Sequence, residues 1–332
     1  MEVALVFNLK KKKGNKPADY FSEFDSQDTV NAIKKALELN GHKVTPVELN
    51  KDTLSYFRRH KFDLVFNIAE GNGSRFRESE VPAILDLFGI PYTGSSTFTL
   101  ALALDKAMTK KILRYENIPT PNFQVFSTGK EELNSYLNFP LIVKPNREGS
   151  AKGINASSVV YGRKNLFEKI NNIIGNYRQE ALAEEFIEGK ELTVGILENG
   201  VFNVLPILEI DFSTCSKNSG EYFYSWRMKE FQGDVSLGLT PTFHCPARLP
   251  QEVERRVKEV ALKAHKALGC WGLSRTDIRL NKDNIPYVLE VNPLPGLDPH
   301  ESNFPMIAKA AGIEYEDLIE AILQTAKDKE EF

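Results

Sequence analysis

The sequence predicts a protein of mixed class, α/β over residues 1–95 and α+β over residues 96–332. In the first part, short apolar runs alternate with amphipathic segments, a pattern typical of a parallel sheet with helices on its faces. In the second part, apolar runs are joined by turn-rich stretches that favour antiparallel pairing. A chain of 332 residues has room for two or three such units. We therefore predict three units, residues 1–95, 96–186 and 187–332.

The elements of the first unit follow from its hydrophobic period. Short continuous apolar runs predict buried strands, and apolar side chains spaced three and four residues apart predict helices. The predicted strands are Val3–Phe7, Val44–Leu49, Leu64–Ile68 and a short one at Pro91–Tyr92, and the predicted helices are Thr29–Leu39, ending near Gly41, and Val81–Phe88.

The second and third units combine more strands with fewer helices. A helix from Leu100 to Glu116 is ended by Pro119 and Pro121, because proline cannot continue a helix. Residues 211–239 have no clear period, which indicates either disorder or a functional lid. The other predicted strands are Phe123–Phe126, Leu141–Pro145, Ala183–Ile187, Leu192–Leu197, Val204–Ile210, Gly272–Leu280 and Pro286–Val291, and the other predicted helices are Gln251–Leu268 and Tyr315–Ala326.

Composition and charge exclude several classes of function. A net charge of −3 gives no support for a nucleic-acid partner, and the basic run Lys10–Lys13 is interpreted as a solvated loop. No apolar stretch reaches the length of a membrane span. Lysines follow the Val3–Phe7 run rather than precede it, which is the wrong order for a signal peptide. Cys215, Cys245 and Cys270 lack paired spacing and indicate reduced thiols in a cytoplasmic protein.

Two polar strands in the third unit carry the strongest functional signal. Because side chains alternate along a strand, Arg275 and Asp277 share one face, and Glu290 and Asn292 share another. The turn-rich residues 281–284 between the strands favour an antiparallel hairpin. We therefore expect Asp277 to lie opposite Glu290 and Arg275 to lie opposite Asn292.

This register assumes that Leu280 pairs with Tyr287 near the turn of the hairpin. Like charges directly opposite each other destabilise a sheet, so Asp277 and Glu290 require a reason to be paired. A hard divalent cation supplies one, because Mg²⁺ prefers carboxylate oxygens supplemented by substrate phosphates. The alternative is two solvated acids on an exposed face, and the neighbouring guanidinium and amide make that alternative weaker.

Two further segments have the composition of nucleotide-binding loops. In Lys144–Gly153, glycines would let backbone N–H groups approach phosphate oxygens beside the Lys144 ammonium group. In Glu184–Glu191, an acid could accept hydrogen bonds from ribose or adenine while Phe186 and Ile187 line the base. Taken alone, each segment is more often an ordinary turn.

The turn Pro293–Gly296 follows the second polar strand directly. It is either a simple loop or a source of N–H groups for a developing oxyanion, with Arg275 as the charged donor. Lys106, early in its helix, would by itself usually be a solvated helix lysine.

Together, and in this order, these segments resemble the D-alanine–D-alanine ligases of the ATP-grasp superfamily. Ile90–Ser95 and the pair Asp105–Lys106 are also similar to that family. The resemblance covers nearly the whole chain from about Leu64 onward, and the earlier part is similar mainly in its strand–helix pattern. It implies an ATP-grasp fold, with an N-terminal Rossmann-like domain, two α+β domains that clamp ATP, and a lid over residues 211–239.

The resemblance also implies roles on the ATP side. Asp277, Glu290 and Asn292 match the family's magnesium ligands, so ATP with two Mg²⁺ ions is expected, and Mn²⁺ is an alternative. The residues that match phosphate-binding lysines are Lys106, Lys144 and the lid residue Lys229, and those that match the adenine and ribose site are Glu184, Phe186, Ile187 and Glu191.

On the amino-acid side, Arg275 and Gly296 match the groups that stabilise the tetrahedral intermediate. Ser150 matches the serine near the first substrate, and Ser302 matches the serine that holds the carboxylate of the second. The implied reaction forms an acyl-phosphate, which the amine of the second substrate then attacks. Because acyl-phosphates hydrolyse in water, residues 211–239 are expected to close over the site.

The departures from the family all fall on the amino-acid side. The family's first loop, whose acid binds the substrate ammonium group, is replaced by Leu9–Gly14, and Glu23 or Asp25 is expected to supply that acid. Glu70 stands where the family has a histidine, and Glu230 stands where its lid has a tyrosine. In addition, Ala151 and Lys152 replace the usual serine and valine.

Three functions therefore remain open at the level of sequence. The first is D-alanine–D-alanine ligation, and the second is ligation of a different amino acid, carboxylate or amine. The third is a non-catalytic, nucleotide-binding regulatory protein, which the complete set of catalytic residues disfavours. The expected partners are small amino-acid substrates, without nucleic acid or membrane, and the sequence is compatible with a homodimer.

Overall fold

A computed structural model of the chain describes residues 1–11, 17–71, 73, 75–198, 200–216, 221–231 and 234–328. Its strands are β1 (Glu2–Phe7), β2 (Lys43–Glu48), β3 (Leu64–Asn67), β4 (Phe123–Phe126), β5 (Leu141–Pro145), β6 (Val159–Val160), β7 (Ala181–Glu185), β8 (Lys190–Glu198), β9 (Phe202–Asp211), β10 (Thr242–His244), β11 (Leu273–Leu280) and β12 (Pro286–Asn292). Its α-helices are α1 (Gln27–Leu39), α2 (Thr53–Arg59), α3 (Glu80–Phe88), α4 (Thr97–Leu104), α5 (Lys106–Tyr115), α6 (Arg163–Tyr177), α7 (Trp226–Glu230), α8 (Gln251–Ala267), α9 (Asn303–Ala310) and α10 (Tyr315–Asp328). None of the helices in this described part has the length and apolar character needed to span a bilayer.

The first three strands form a parallel sheet in the order β2-β1-β3, as the alternation of strands and helices predicts. Strand β1 is buried on both faces, which explains its continuous apolar run. One face packs with α1, α9 and α10 in a core that includes Leu5, Ile33, Phe304 and Ile322. The N-terminal sheet is therefore packed against the last helices of the chain.

The remaining strands form two antiparallel sheets. One has the order β4-β7-β5-β6, with α6 packed on it, and the other has the order β10-β9-β8-β11-β12, with α8 packed on it. The chain passes from the first sheet to the second between Glu185 and Lys190. Our domain boundary at residues 186 and 187 stays a prediction, and it falls in this connection.

The polar residues of the hairpin β11–β12 pair as expected, but the residues nearer the turn pair differently. Asp277 pairs with Glu290, but Leu280 pairs with Pro286, so the assumed pairing with Tyr287 is wrong. A β-bulge after Asp277 inserts one extra residue, Leu289, and restores the register. As a result Leu289 and Glu290 both face a cleft, while the valines on either side remain in the core.

Residues 97–115 form two helices, so the single helix predicted from Leu100 to Glu116 is wrong. Helix α4 ends at Leu104, and Asp105 adopts an extended conformation. The Asp105 side chain accepts a hydrogen bond from the Met108 N–H at 3.1 Å and so forms the N-cap of α5. This break places Lys106 in the first turn of α5.

The other predicted strands and helices are confirmed, with ends displaced by two residues or fewer. Pro91–Tyr92 is an exception, because Tyr92 forms only an isolated bridge with Val65. Helices α2, α6, α7 and α9 and the short strands β6 and β10 were not predicted. Helix α9 contains Pro305 in its first turn, where a proline is tolerated.

The predicted lid, residues 211–239, is partly described. It contains α7 and two short 3₁₀ turns, and residues 217–220, 232 and 233 lie outside the described part. The Trp226 indole N–H donates to the Ser22 hydroxyl at 2.6 Å, and the Trp226 backbone N–H donates to the Ile154 carbonyl at 3.3 Å. Helix α7 therefore contacts both the N-terminal and the central unit.

Candidate active site

Arg275, Asp277 and Glu290 form one charged network on the hairpin. Arg275 Nε and Nη2 donate to the two carboxylate oxygens of Asp277 at 2.9 and 2.7 Å. Arg275 Nη2 also lies 3.9 Å from Glu290 Oε1. The Thr193 hydroxyl on β8 donates to Asp277 at 2.6 Å. The predicted opposition of two acids is therefore confirmed, and the guanidinium group offsets part of their repulsion.

Glu290 is surrounded by lysines. Lys106 Nζ lies 3.1 Å from Glu290 Oε2 and donates to the Glu148 carbonyl at 2.6 Å. Burial acts to raise the pKa of Glu290, but Lys106 and Lys144 outweigh it and hold that pKa well below its usual range. Glu290 is therefore ionised at neutral pH and able to act as an oxygen ligand.

Glu184 on β7 lies between two lysines in the interior of the central unit. Its Oε1 accepts from Lys144 at 2.5 Å, and its Oε2 lies 2.7 Å from Lys110 Nζ. Burial acts to raise the pKa of Glu184, but the two lysines outweigh it and lower it. Burial lowers the pKa of Lys110 to about 8. Glu184 therefore orients Lys144 toward the neighbouring cleft.

A cleft with about 850 Å³ of empty volume lies between the two antiparallel sheets. One wall carries Phe186, and the Arg279 guanidinium lies 5.0 Å from the centre of its ring. Arg279 also donates to Glu191 at 3.0 Å. The seven residues predicted to bind ATP all line this cleft, namely Lys106, Lys144, Glu184, Phe186, Ile187, Glu191 and Lys229.

Lys229 extends from α7 into the same cleft. Its ammonium group lies 4.9 Å from the centre of the Tyr224 ring, a cation–π distance. Burial and the nearby Arg275 lower the pKa of Lys229. An anionic phosphate would therefore be a favourable partner for this lysine.

A second cleft, with about 1100 Å³ of empty volume, adjoins the first and shares Lys229 with it. Gly296 lies so close to Ser302 that an added Cβ would meet the serine Oγ at 2.8 Å. Ser302 Oγ accepts from the Asp298 N–H at 3.1 Å. The predicted catalytic and substrate residues all line this second cleft, namely Arg275, Ser150, Gly296, Glu23, Glu70, Glu230 and Ser302, together with Asn292.

The acids of this second cleft differ in their surroundings. Glu23 is buried and contacts Arg77 and Lys152, whereas Glu230 is exposed. Glu70 is half-buried, and burial together with Glu78 raises its pKa well above the usual range. The Lys10–Lys13 run, interpreted as a solvated loop, contributes Lys10 to the lining, and its last two lysines lie outside the described residues.

Comparison with known proteins decides the family. Residues 112–324 match the family model described as the D-ala D-ala ligase C-terminus. The D-alanine–D-alanine ligase of Desulforudis audaxviator is 33% identical over 302 residues, which span 90% of this chain and 92% of that protein. The chain belongs to the D-alanine–D-alanine ligase family.

Other relatives agree with this membership. The D-alanine–D-alanine ligase of Carboxydothermus hydrogenoformans is 34% identical over 304 residues, 89% of this chain and 91% of that protein. A crystal structure of the D-alanine–D-alanine ligase from Bacillus anthracis complexed with ATP matches over 100% of both chains, with a TM-score of 0.75 and 28% identity. This member of the family is therefore an enzyme with an ATP-grasp fold, an ATP-dependent ligase that forms an amide bond. The alternative of a non-catalytic regulatory protein is wrong.

Three charged residues of the site had no prediction. Arg279 lies two residues after Asp277 on β11, so strand alternation was a usable signal for it. Lys110 lies one turn after Lys106 and has the sequence context of a surface lysine. Glu78 lies in a 3₁₀ turn whose place beside the cleft is decided only by the tertiary structure.

Proposed function

We propose that this enzyme joins the carboxylate of one amino acid to the amino group of another, with both held in the second cleft and ATP held in the first. The observation that supports this is the junction of the two clefts at Lys229 and the hairpin β11–β12. A γ-phosphate beside Lys106 and Glu290 would lie next to Arg275, where a carboxylate can reach it.

The proposed reaction has two steps. A carboxylate oxygen of the acyl donor attacks the γ-phosphorus, the bond to the β-phosphate oxygen breaks, and ADP leaves. The acceptor amine, as the free base, then attacks the acyl carbon. Inorganic phosphate leaves with the C–O bond electrons and takes up the proton that the nitrogen loses. Arg275 stabilises the oxyanion of this step, and Lys106, Lys144 and Lys229 balance the charge of the phosphates.

A divalent cation fits the hairpin by the chemistry of its donors. Asp277, Glu290 and Asn292 offer carboxylate and amide oxygens, which Mg²⁺ prefers. The lowered pKa of Glu290 keeps that ligand ionised. The cation would neutralise charge on the transferring phosphoryl group.

Two pairs of substrates are candidates. D-alanine as both substrates is the activity in the names of the relatives. A different pair is favoured by Glu70, a half-buried acid in the second cleft at the place of the family's histidine. Because burial and Glu78 raise the pKa of Glu70, a nearby cation stabilises its ionised form, so this position favours an ammonium or guanidinium group and disfavours a second carboxylate. Glu230 supports this less, because its side chain is exposed.

The test is a screen of pairs of L- and D-amino acids for phosphate release, with product masses measured. We expect release that requires ATP, a divalent cation and two amino acids. If D-alanine gives kcat/KM well above every other amino acid, the proposal of altered specificity is wrong. If a different pair gives the highest value, Glu230→Tyr tests whether Glu230 contributes to that preference.

A further inference from the structure

Glu23, the acid expected to hold the ammonium group of the acyl donor, is already paired with protein groups. Its Oε1 accepts from the Gly149 N–H at 2.6 Å and contacts the Arg77 guanidinium group. Its Oε2 accepts from Lys152 at 2.9 Å. Burial acts to raise the pKa of Glu23, but Arg77 and Lys152 outweigh it and lower it. These contacts use three of the roughly four acceptor positions of a carboxylate, so a substrate ammonium group on Glu23 would compete with two fixed cations.

Two other carboxylates lie beside Glu23 and lack such partners. Oxygens of Glu23, Glu70 and Glu78 all lie within 4.8 Å of one another. Glu78 is only 8% exposed, yet within the described part of the chain neither its carboxylate nor that of Glu70 accepts a hydrogen bond or forms an ion pair. Both side chains line the second cleft. A buried carboxylate without a partner is costly, so the pair is suited to an external cation.

The position of Glu70 and Glu78 relative to the hairpin β11–β12 also agrees with this role. Burial, Arg77 and Glu23 affect the pKa of Glu78 most, but Lys106 and Glu290 also act on it, and both acids of the pair line the cleft that contains Arg275 of the hairpin on which we place phosphoryl transfer. The ammonium and carboxylate groups of an α-amino acid are bonded to one carbon, so a carboxylate at that hairpin places the ammonium group close beside it. Glu70 and Glu78, which extend from the segment after β3 and from the 3₁₀ turn Arg77–Ser79, line the same cleft as Arg275 of that hairpin.

We propose that Glu70 and Glu78 together bind the ammonium group of the acyl-donor amino acid, while Glu23 holds Arg77 and Lys152 in place. This inference rests on the proposed function and names the residues that recognise its first substrate. Because Glu70 and Glu78 line the second cleft beside Glu23, Glu23 can remain paired with Arg77 and Lys152 while a substrate binds.

A divalent cation is the other ligand that three carboxylates could bind. Arg77 and Lys152 both contact Glu23, so two positive charges already lie at the cluster. A doubly charged ion would be repelled by both and would find most acceptor positions of Glu23 already used. An ammonium group carries one charge and needs only a few acceptor oxygens, which Glu70 and Glu78 provide.

The experiment compares Glu70→Gln and Glu78→Gln with the unchanged enzyme. ADP release is measured with D-alanine, or with the best acyl donor from the screen, and with the acid that lacks its amino group, which is propionate for alanine. We expect each variant to raise the KM of the amino acid by roughly 30-fold or more, the usual effect of truncating one partner of a buried charge pair. The response to the des-amino acid and the KM of ATP should stay within about twofold.

Glu301→Gln is the matched control. Glu301 is exposed on the same cleft, so the control removes the same charge without touching the proposed pair. Melting temperatures separate binding from structure. Glu→Gln in the pair removes repulsion between carboxylates, so the melting temperature should stay equal or rise, whereas a structural role would lower it. If either variant fails to fold, the corresponding Glu→Asp variant is measured in the same way.

Each contrary outcome has a distinct meaning. No ADP release with any amino acid would contradict the proposed function itself. ADP release in which the KM of the amino acid is unchanged in Glu78→Gln but raised in Glu23→Gln would mean that Glu23 binds the ammonium group. That outcome would overturn this inference and leave the proposed function intact. A Mn²⁺ site measured by paramagnetic resonance without nucleotide, and lost in Glu78→Gln, would make the cluster a metal site and also overturn the inference.

Discussion

Charged side chains in this enzyme are held in fixed positions, and their burial decides how strongly the fold depends on each of them. Arg275 is held by two hydrogen bonds to Asp277, so its guanidinium group has one orientation. Lys110 is wholly buried against Glu184, whereas Lys111, the next residue, is exposed. Identical residue types therefore have different consequences when they are replaced.

Arg275→Ala should lower kcat by roughly 10²–10³, the usual loss for one oxyanion donor. The KM of ATP should change much less, because the charge that Arg275 meets develops mainly in the transition state. Steady-state kinetics of the best substrate pair give both values. An alanine variant with normal turnover would show that Arg275 only balances the charges of Asp277 and Glu290.

Lys110→Met should lower the free energy of unfolding by roughly 3–5 kcal/mol, because it removes one partner from a buried ion pair with Glu184. Lys111→Met is the control and should change it by less than about 0.5 kcal/mol. Denaturant titration measures both. Equal stabilities of the two variants would mean that Lys144 alone satisfies Glu184.

At the scale of secondary structure, polar contacts fix which elements pack together. His265 on α8 lies 2.7 Å from Ser274 Oγ on β11 and 3.3 Å from Glu198 Oε2 on β8. Burial and the nearby Lys266 lower the pKa of His265 to about 4. The contact with Glu198 is therefore a hydrogen bond from a neutral ring, with Nε2 donating to Glu198 and Nδ1 accepting from Ser274.

His265 should make the fold less stable at mildly acidic pH. Its pKa is near 6.5 unfolded and about 4 folded. Below pH 6.5 the unfolded chain therefore binds a proton that the folded chain does not, and stability falls as pH falls. At pH 5 the loss from this residue is about 2 kcal/mol. The raised pKa of Glu198 offsets part of it.

Melting temperatures of the unchanged enzyme and His265→Gln between pH 5 and 7.5 test this. Because the variant keeps Glu198, the difference between the two curves isolates the histidine. The difference should change with pH below 6.5 and be constant above it. A difference that is constant across the range would contradict a depressed pKa in the folded state.

The whole molecule places three sheets around two adjoining clefts, and α7 contacts residues of two of the three predicted units. Trp226 reaches Ser22 in the first unit and Ile154 in the second, while Lys229 on the same helix points between the clefts. A single short helix therefore covers the position where an acyl-phosphate would form and where water must be excluded.

Residues 221–231 should become more protected from hydrogen exchange when a non-hydrolysable ATP analogue and an amino acid bind. The physical reason is that phosphate charge attracts Lys229 and draws α7 onto the site. Helix α8, away from both clefts, is the internal control. Trp226→Phe removes the hydrogen bond to Ser22 and should raise the ratio of phosphate released to product formed. Unchanged exchange together with an unchanged ratio would refute the role of a closing lid.

Features that depend on neighbouring residues in the sequence could be predicted, and features that depend on tertiary contacts could not. Apolar period and turn residues identified most strands, because their burial leaves a pattern in the chain itself. The break before Lys106 had a local signal, the N-cap Asp105, that the apolar pattern concealed. The β-bulge at Leu289 had none, because the sheet register and the core packing of the neighbouring valines decide it.

The sequence by itself determined the fold class, the family, the polar hairpin and the set of residues that line the first cleft, because the order of these segments along the chain resembles one family. Only the tertiary structure decided which acids of the second cleft form ion pairs with the protein. Burial and distance pair Glu23 with Arg77 and Lys152 and place Glu70 and Glu78 beside it without an ion pair to any residue that the structure describes, whereas the sequence pointed to Glu23 or Asp25 for the ammonium group and gave Glu78 no role. Charge state in a protein depends on neighbours brought together across the chain, and no local pattern records them.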